Sequence, residues 1–239
     1  MYTRIKTPEE IEDMRTSGKI LAHVLKYLES QLTQGMSTLD IDTLAEKEIK
    51  ALGGKPAFLG YGSPNPFTGV ICISINDEVV HGLPNAQKII KNGDIISLDL
   101  GVSYNGMITD AAITTKCGDI PPELVKLLEQ TKKSLNAGIA VVKDGVRVGD
   151  ISAAIQRVLD RGRYGIVRDL VGHGVGHEVH EEPNIPNFGL SGKGPKLVAG
   201  MTIAIEPMAT LGNYGVYLDG DGWTVRTNDG SYAAHYEHT

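Results

Sequence analysis

Two carboxylates, Asp99 and Asp110, flank the dipeptide Asn105-Gly106 in the stretch NGDIISLDLGVSYNGMITDAA. That dipeptide is a strong two-residue hairpin signal, because both positions accept positive φ. Pairing outward from it sets Tyr104 opposite Met107 and Gly101 opposite Asp110, with Asp99 two residues beyond Gly101. Opposed residues share a face, and so do residues two apart on one strand, so the two acids fall on one face as diagonal neighbours. A slip of one residue separates them. Ile96, Leu98 and Leu100 point the other way, into a core. Carboxylates this close need a cation between them, or one stays protonated. Taken alone, the pattern fits equally well two solvated acids on an exposed sheet face.

Other residues extend the set. In GMTIAIEPM, Thr202, Ala204 and Glu206 share one strand face while Ile203 and Ile205 take the core. The last strand brings Glu237, next to His238, and the glycine-rich run VGHGVGHEVHEEP brings His173. Two Asp, two Glu and one His form a donor set of hard oxygens with one imidazole. It suits two divalent first-row metals bridged by carboxylates and a water. Ions about 3.5–4 Å apart polarise a carbonyl and lower a bound water's pKa from about 15.7 toward 7. Rival motifs are missing: His177-Glu178-Val179-His180 is one residue short of H-E-x-x-H, no G-x-S-x-G occurs, and the glycine run has no Walker lysine. The glycines around His173 oppose a helix, so His173 and His177 do not form a helical metal pair. In a regular strand His173 and His180 face opposite sides, and both reach one site only through a bulge.

The elements that must position these residues read in order as follows. Thr7 caps a helix, with Pro8 in its first turn and Glu10 completing a capping box; Ile11, Met14, Leu21, Leu25 and Leu28 follow at helical spacing. A second helix runs from about Leu39 to Gly53-Gly54. A loop rich in Gly, Pro and aromatics covers Phe58 to Phe67, and Val70 to Ser74 reads as a strand. Pro121-Pro122 opens a third helix that Gly145 ends, and Asp150 starts a fourth. The plan is used twice. Gly35 lies five before Asp40-Ile41 and Gly145 five before Asp150-Ile151. Val80-His81-Gly82-Leu83-Pro84 matches Val179-His180-Glu181-Glu182-Pro183. Gly93 sits six before Asp99 as Gly200 sits six before Glu206, each leading a short strand that ends in an acid. This implies two related α/β halves, roughly 1–115 and 116–239, within a single catalytic domain, facing each other across one shared site. The match singles out His81 and His180.

A chain of 239 residues can bury a sizeable core. Its net charge of -6 argues against a nucleic-acid binder that relies on bulk charge, and it carries no direct nucleic-acid binding motif. Two widely spaced cysteines, Cys72 and Cys117, are no disulfide framework and fit a reducing cytoplasm. The charged N-terminus lacks the apolar stretch of a signal peptide, and no apolar run spans a bilayer.

The motifs ISINDEVVHGLP, the Asp99/Asp110 hairpin, GHGVGHEVHEEP, GMTIAIEPM and DGWTVRT with YEHT together resemble the type I methionine aminopeptidases, in order and spacing over nearly the whole chain. The resemblance implies an α+β, pita-bread fold with two pseudo-symmetric halves around a central metal site. It implies removal of the initiator methionine from nascent chains by a water activated on two divalent ions (Co, Mn, Fe or Zn), with a small second residue preferred. Asp99, Asp110, His173, Glu206 and Glu237 would be the ligands. Asp110 and Glu237 would bridge, His173 and Glu206 would hold one ion, and Asp99 the other. His81 would position the substrate, His180 would donate to the scissile carbonyl, and Glu206 would also act as general base. Phe58, Tyr61, Phe67, Cys72, Val179 and Trp223, with His81 near the mouth, would line an apolar slot for methionine. The resemblance also implies a cytoplasmic monomer, and a nascent-chain substrate admits a ribosome contact. Ser63 to Pro66 lengthens the pocket loop, and Val179 is smaller than the aromatic residue common before this histidine, which widens the slot. The chain runs only two residues past Glu237, so that strand is expected to fray. Alternatives are an Xaa-Pro aminopeptidase of the same fold, which typically carries a large extra N-terminal domain, and a pita-bread module that binds peptides without catalysis.

Overall fold

A computed structural model describes residues 4–239. Helix α1 (Pro8–Gln31) starts as its sequence requires: the Thr7 hydroxyl accepts from the Glu10 amide, and Glu10 returns a bond to the Thr7 amide. Helix α2 (Thr38–Ala51) begins one residue before the expected Leu39, because Ser37 and Asp40 form a second capping box. Helix α3 (Pro122–Ile139) stops before Gly145, and helix α4 (Val148–Gly162) starts before Asp150. Asp150 is not the first residue of α4 but its third. There its carboxylate accepts from the Arg147 amide, satisfying a donor that has no partner inside the helix.

The helices sit over a sheet built on one long hairpin, Ile95–Tyr104 with Met107–Lys116. Its register is Tyr104↔Met107, Gly101↔Asp110 and Asp99↔Ala112, as the turn dictates, with Asn105 and Gly106 at φ 49 and 83. Strand Cys72–Ile75 pairs along one side of the hairpin, and Glu237–His238 along the other. Ile96, Leu98, Leu100 and Val102 bury themselves against Leu21, Val24, Leu25 and Leu28 of α1 and Ile41 and Ile49 of α2. Burying each of these side chains contributes about 1.5–3 kcal/mol. A second apolar cluster joins Leu124, Leu127 and Leu135 of α3 to Ile151, Ile155 and Leu159 of α4, with Ile205 and Tyr236. Between the clusters the hairpin turns its other face: the Ser97–Thr114 hydroxyl pair, then Asp99, then Asp110.

One turn occurs twice. Gly35 donates to Ile90 and Ile90 to Met36; Gly145 donates to Leu197 and Leu197 to Val146. Gly35 and Gly145 have φ 93 and 80, so both turns need glycine at this point. The two acid-bearing stretches are less alike than their sequences. Asp99 lies in the middle of a ten-residue strand, whereas Glu206 lies between two short strands, Ile203–Ala204 and Met208–Thr210. Pro207 interrupts that ladder because it has no N–H to give.

Candidate metal centre and its apolar slot

The structure gathers Asp99, Asp110, His173, Glu206 and Glu237 around one cavity, together with His81, His180, Phe58, Tyr61, Phe67, Cys72, Val179 and Trp223. Asp99 and Asp110 arrive on adjacent strands of the hairpin. Glu237 arrives on the neighbouring strand, where it pairs with Ala112, directly across from Asp99. The strand bearing Glu237 does not fray. Glu237 is 2 % exposed, and Thr239 beyond it bonds back to Asp110.

His173 sits in the strand Gly172–Gly174, and the register shifts against strand Glu181–Ile185 between Gly172 and Gly174. That irregularity lets His173 and His180 reach the same cavity, with ring centroids 4.3 Å apart. Glycine permits the close backbone approach: a Cβ at Gly174 would stand 2.2 Å from the Glu182 carbonyl oxygen. The His173 Nδ1 faces its neighbour's carbonyl at 2.8 Å, which leaves Nε2 for the cavity, 3.4 Å from Glu206 Oε1 and 3.9 Å from Glu237 Oε1. His177, of the same run, turns outward to Glu10 at 2.7 Å.

The electrostatics are those of a crowded, dry acid cluster. Burial pushes Glu206 up to about 8 and Asp99 up to about 6, and burial plus the neighbouring acids holds Asp110 and Glu237 well above the ordinary carboxyl range. Burial, with neighbouring histidines, lowers His81 and His173 to about 4, so both rings are neutral at pH 7. Buried polar atoms nearly always have partners. Here Asp99 Oδ1, Asp110 Oδ1 and Glu237 Oε1 have none. Orphaned carboxylate oxygens beside a neutral imidazole nitrogen are the donor set of a divalent first-row ion. A cation here would satisfy the orphans and remove the repulsion together. Asp110, His173 and Glu237 can each offer one ligand atom with all three within 4.8 Å of one another.

The apolar end of the cavity is built from rings. Phe58 meets Phe67 edge-on at 6.5 Å, and Phe67 meets Trp223 at 5.3 Å. Trp223 Nε1 donates to the Asn65 carbonyl, so the Ser63–Pro66 loop holds the indole in place. Gly101 leaves the space Phe58 fills, since a Cβ there would stand 2.5 Å from the Phe58 ring. Cys72 and Val179 complete the wall with Phe58 and Phe67. Tyr61 stands at the rim, its hydroxyl 2.6 Å from His180 Nδ1.

His235 is not among the site residues expected from the sequence. His235 is 1 % exposed, and its Nε2 lies 3.6 Å from Glu206 Oε2 and 3.9 Å from Glu237 Oε2. His238 is exposed, on the far side of the sheet. The available signal was the strand period: His235 is two residues before Glu237 and shares its face, whereas the adjacent His238 does not.

Residues 12–239 match metallopeptidase family M24. The chain is 48% identical over 235 residues to a methionine aminopeptidase of Clostridium acetobutylicum, covering 98% of this chain and 93% of that one. The crystal structure of methionine aminopeptidase from Thermotoga maritima superposes with a TM-score of 0.96 at 44% identity, covering 99% of this chain and 94% of that one. Prolidase from Pyrococcus furiosus shares the fold at a TM-score of 0.76 and 23% identity; 98% of this chain is covered but only 60% of the prolidase.

Proposed function

This chain belongs to metallopeptidase family M24 and has its pita-bread fold, and from that premise we propose that it removes N-terminal methionine from peptides and nascent proteins. The observation that carries the reading is spatial: orphaned carboxylates and a neutral imidazole lie at the inner end of a slot walled by Phe58, Phe67, Cys72, Val179 and Trp223. An unbranched thioether fits an apolar slot of aromatic edges, and sulfur–ring contacts favour it. The similarity to methionine aminopeptidases over almost the full length supports the same reading against an Xaa-Pro peptidase.

The residues that would hold two divalent ions in this reading are Asp99, Asp110, His173, Glu206 and Glu237. When bound, the ions supply Lewis acidity that lowers the pKa of a water toward neutrality. The protein does the rest. Glu206, a base whose proton affinity is raised by burial, takes the water's proton and delivers it to the leaving amine. His180, neutral and held by Tyr61 at Nδ1, presents Nε2–H to the scissile carbonyl and stabilises the oxyanion that develops there. His81, neutral and 6.3 Å from the Trp223 ring, stands between slot and centre, where it orients the substrate. The reading includes a preference for a small second residue, as the likeness to methionine aminopeptidases suggests.

Both cysteines are free and buried, which agrees with a reducing cytoplasm. No helix among the described residues is long and apolar enough to cross a membrane. The reading has the protein act as a monomer on chains emerging from the ribosome. The test is release of methionine from Met-Ala-Ser by metal-stripped protein titrated with Mn, Co and Fe(II). Metal-dependent release, with no cleavage of Ala-Pro-Ala, is expected. Cleavage of Ala-Pro-Ala instead would transfer the chain to the Xaa-Pro peptidases, and no cleavage of either would leave a binding module.

A further inference from the structure

His235 lies against two of the cavity's glutamates, and the reading above leaves it without a task. Its backbone is fixed from two sides. The strand Ala233–His235 pairs with Met208–Thr210, and the Thr114 hydroxyl accepts from the His235 amide at 2.9 Å and donates to its carbonyl at 2.7 Å. Tyr236 turns the opposite way and anchors its hydroxyl on the Thr114 carbonyl at 2.6 Å. The imidazole is thereby aimed inward, and its side chain is 2 % exposed. Neither Nδ1 nor Nε2 has a hydrogen-bond partner among the described residues. Leaving buried polar atoms unpaired is costly. A ring held this firmly against that cost calls for a partner.

The surroundings say what kind. His173 and His235 flank the same two glutamates from opposite sides. His173 Nε2 faces Oε1 of Glu206 and of Glu237, at 3.4 and 3.9 Å. His235 Nε2 faces Oε2 of both, at 3.6 and 3.9 Å. These separations are longer than hydrogen bonds. They match two ligand atoms on one ion: atoms about 2.1 Å from a common ion at a tetrahedral angle lie roughly 3.4 Å apart. Glu206, His235 and Glu237 can each offer one atom with all three within 4.8 Å of one another, a group distinct from Asp110, His173 and Glu237.

We propose that His235 is a metal ligand, so that the centre carries two imidazoles, His173 on one side of the Glu206/Glu237 pair and His235 on the other. The inference rests on the metal-centre reading and goes beyond the ligand set expected from the sequence. Its chemical consequence is selectivity. Imidazole suits Fe, Co, Ni and Zn, whereas carboxylate and water suit Mn and Mg. A second imidazole moves the centre toward the later metals.

The experiment is proton NMR of the full chain loaded with two equivalents of Co(II), which shifts exchangeable imidazole N–H signals of bound histidines far from the diamagnetic region. Two such signals are expected in the unaltered protein. His235→Gln should remove one and His173→Gln the other. His235→Gln should also reduce the preference for Zn over Mn, read by chelator competition, at least about tenfold. A single shifted signal in the unaltered protein, with Co(II) bound, would overturn the proposal and leave the metal-centre reading standing. Failure of the unaltered protein to take up Co(II) at all would overturn both.

Discussion

Thr239 grips both backbone polar groups of Asp110. Its hydroxyl donates to the Asp110 carbonyl at 2.8 Å and accepts from the Asp110 amide at 2.9 Å, and its own amide reaches the same carbonyl at 3.1 Å. With Glu237 paired to Ala112, this clasp sets the spacing of two carboxylates that lie far apart in the sequence. Thr239→Val removes both hydroxyl bonds while keeping shape, a loss of about 1–3 kcal/mol. Second-sphere losses of this kind typically lower metal affinity about 10–100-fold. Chelator competition with Zn or Co should read that loss, and Thr239→Ser should restore most of it. Unchanged affinity in the valine variant would mean that strand pairing alone spaces the acids.

Lys6 anchors the loop that carries His180. Its ammonium, fully buried, pairs with Glu181, whose other oxygen accepts from the His177 amide. Lys6→Met leaves a buried carboxylate with no cation, which costs about 3–5 kcal/mol. For a chain of this size we expect the melting temperature to drop by roughly 10 °C. Adding Glu181→Gln removes the stranded charge and keeps an acceptor for the amides, so the double variant should recover much of the loss. A double variant no better than Lys6→Met would show that the methylene packing of Lys6, not its charge, holds the loop.

Tyr61 sets the tautomer of His180. Burial, with the charge of Glu178, raises the Tyr61 hydroxyl above its ordinary value, and desolvation lowers His180, so at pH 7 a neutral phenol donates to a neutral ring. With Nδ1 accepting, Nε2 carries the hydrogen that the role proposed for His180 requires. Tyr61→Phe costs about 1 kcal/mol of that preference, so kcat should fall up to about tenfold with KM little changed. A rise in KM at constant kcat would assign Tyr61 to substrate binding instead.

Much of this site could be read from the sequence because one local signal fixes it. Asn105-Gly106 sets the register, and the register puts Asp99 and Asp110 on one face. The helix starts were legible where a capping residue precedes an acid at the third position, and less so at α4, where Arg147 precedes Asp150. The opacity elsewhere has physical causes. Pro207 breaks the strand that would have carried Glu206. His235 closes a strand of three residues and carries no motif of its own, so only its spacing, two residues before Glu237, marks it. The Lys6–Glu181 pair joins residues 175 positions apart, and a contact made only in three dimensions leaves no periodic trace.

The last prediction concerns pH and the metal-free protein. Two sets of groups oppose each other. The histidines His81, His173, His180 and His235 are lowered in the fold, mainly by burial, while in the unfolded chain each titrates near about 6.5. Below about 6.5, down to about 4 for His81 and His173, the unfolded chain therefore binds more protons at these sites, and stability rises with pH. The acids Asp99, Asp110, Glu206 and Glu237 are raised, so the folded chain holds protons that the unfolded chain has released, and stability falls as pH climbs toward the folded values. Below about 6.5 the two sets offset each other. Above that the histidines are neutral in both states, and the acids act alone. Glu206, with a folded value of about 8, then contributes a loss of about 2 kcal/mol as the pH rises past it. From pH 7 to 9 its share is about 1.4 kcal/mol, so metal-stripped protein should melt roughly 3–5 °C lower at pH 9 than at pH 7. With Zn or Co bound the protons are displaced and the acids are paired, so that decline should vanish. Metal uptake at pH 7 should release protons, measurable as a buffer-dependent binding heat, and the release should shrink by pH 9. A stripped protein whose melting temperature stays level from pH 7 to 9 would show that the acids are already ionised without metal, and that the cluster is wetter than its burial indicates.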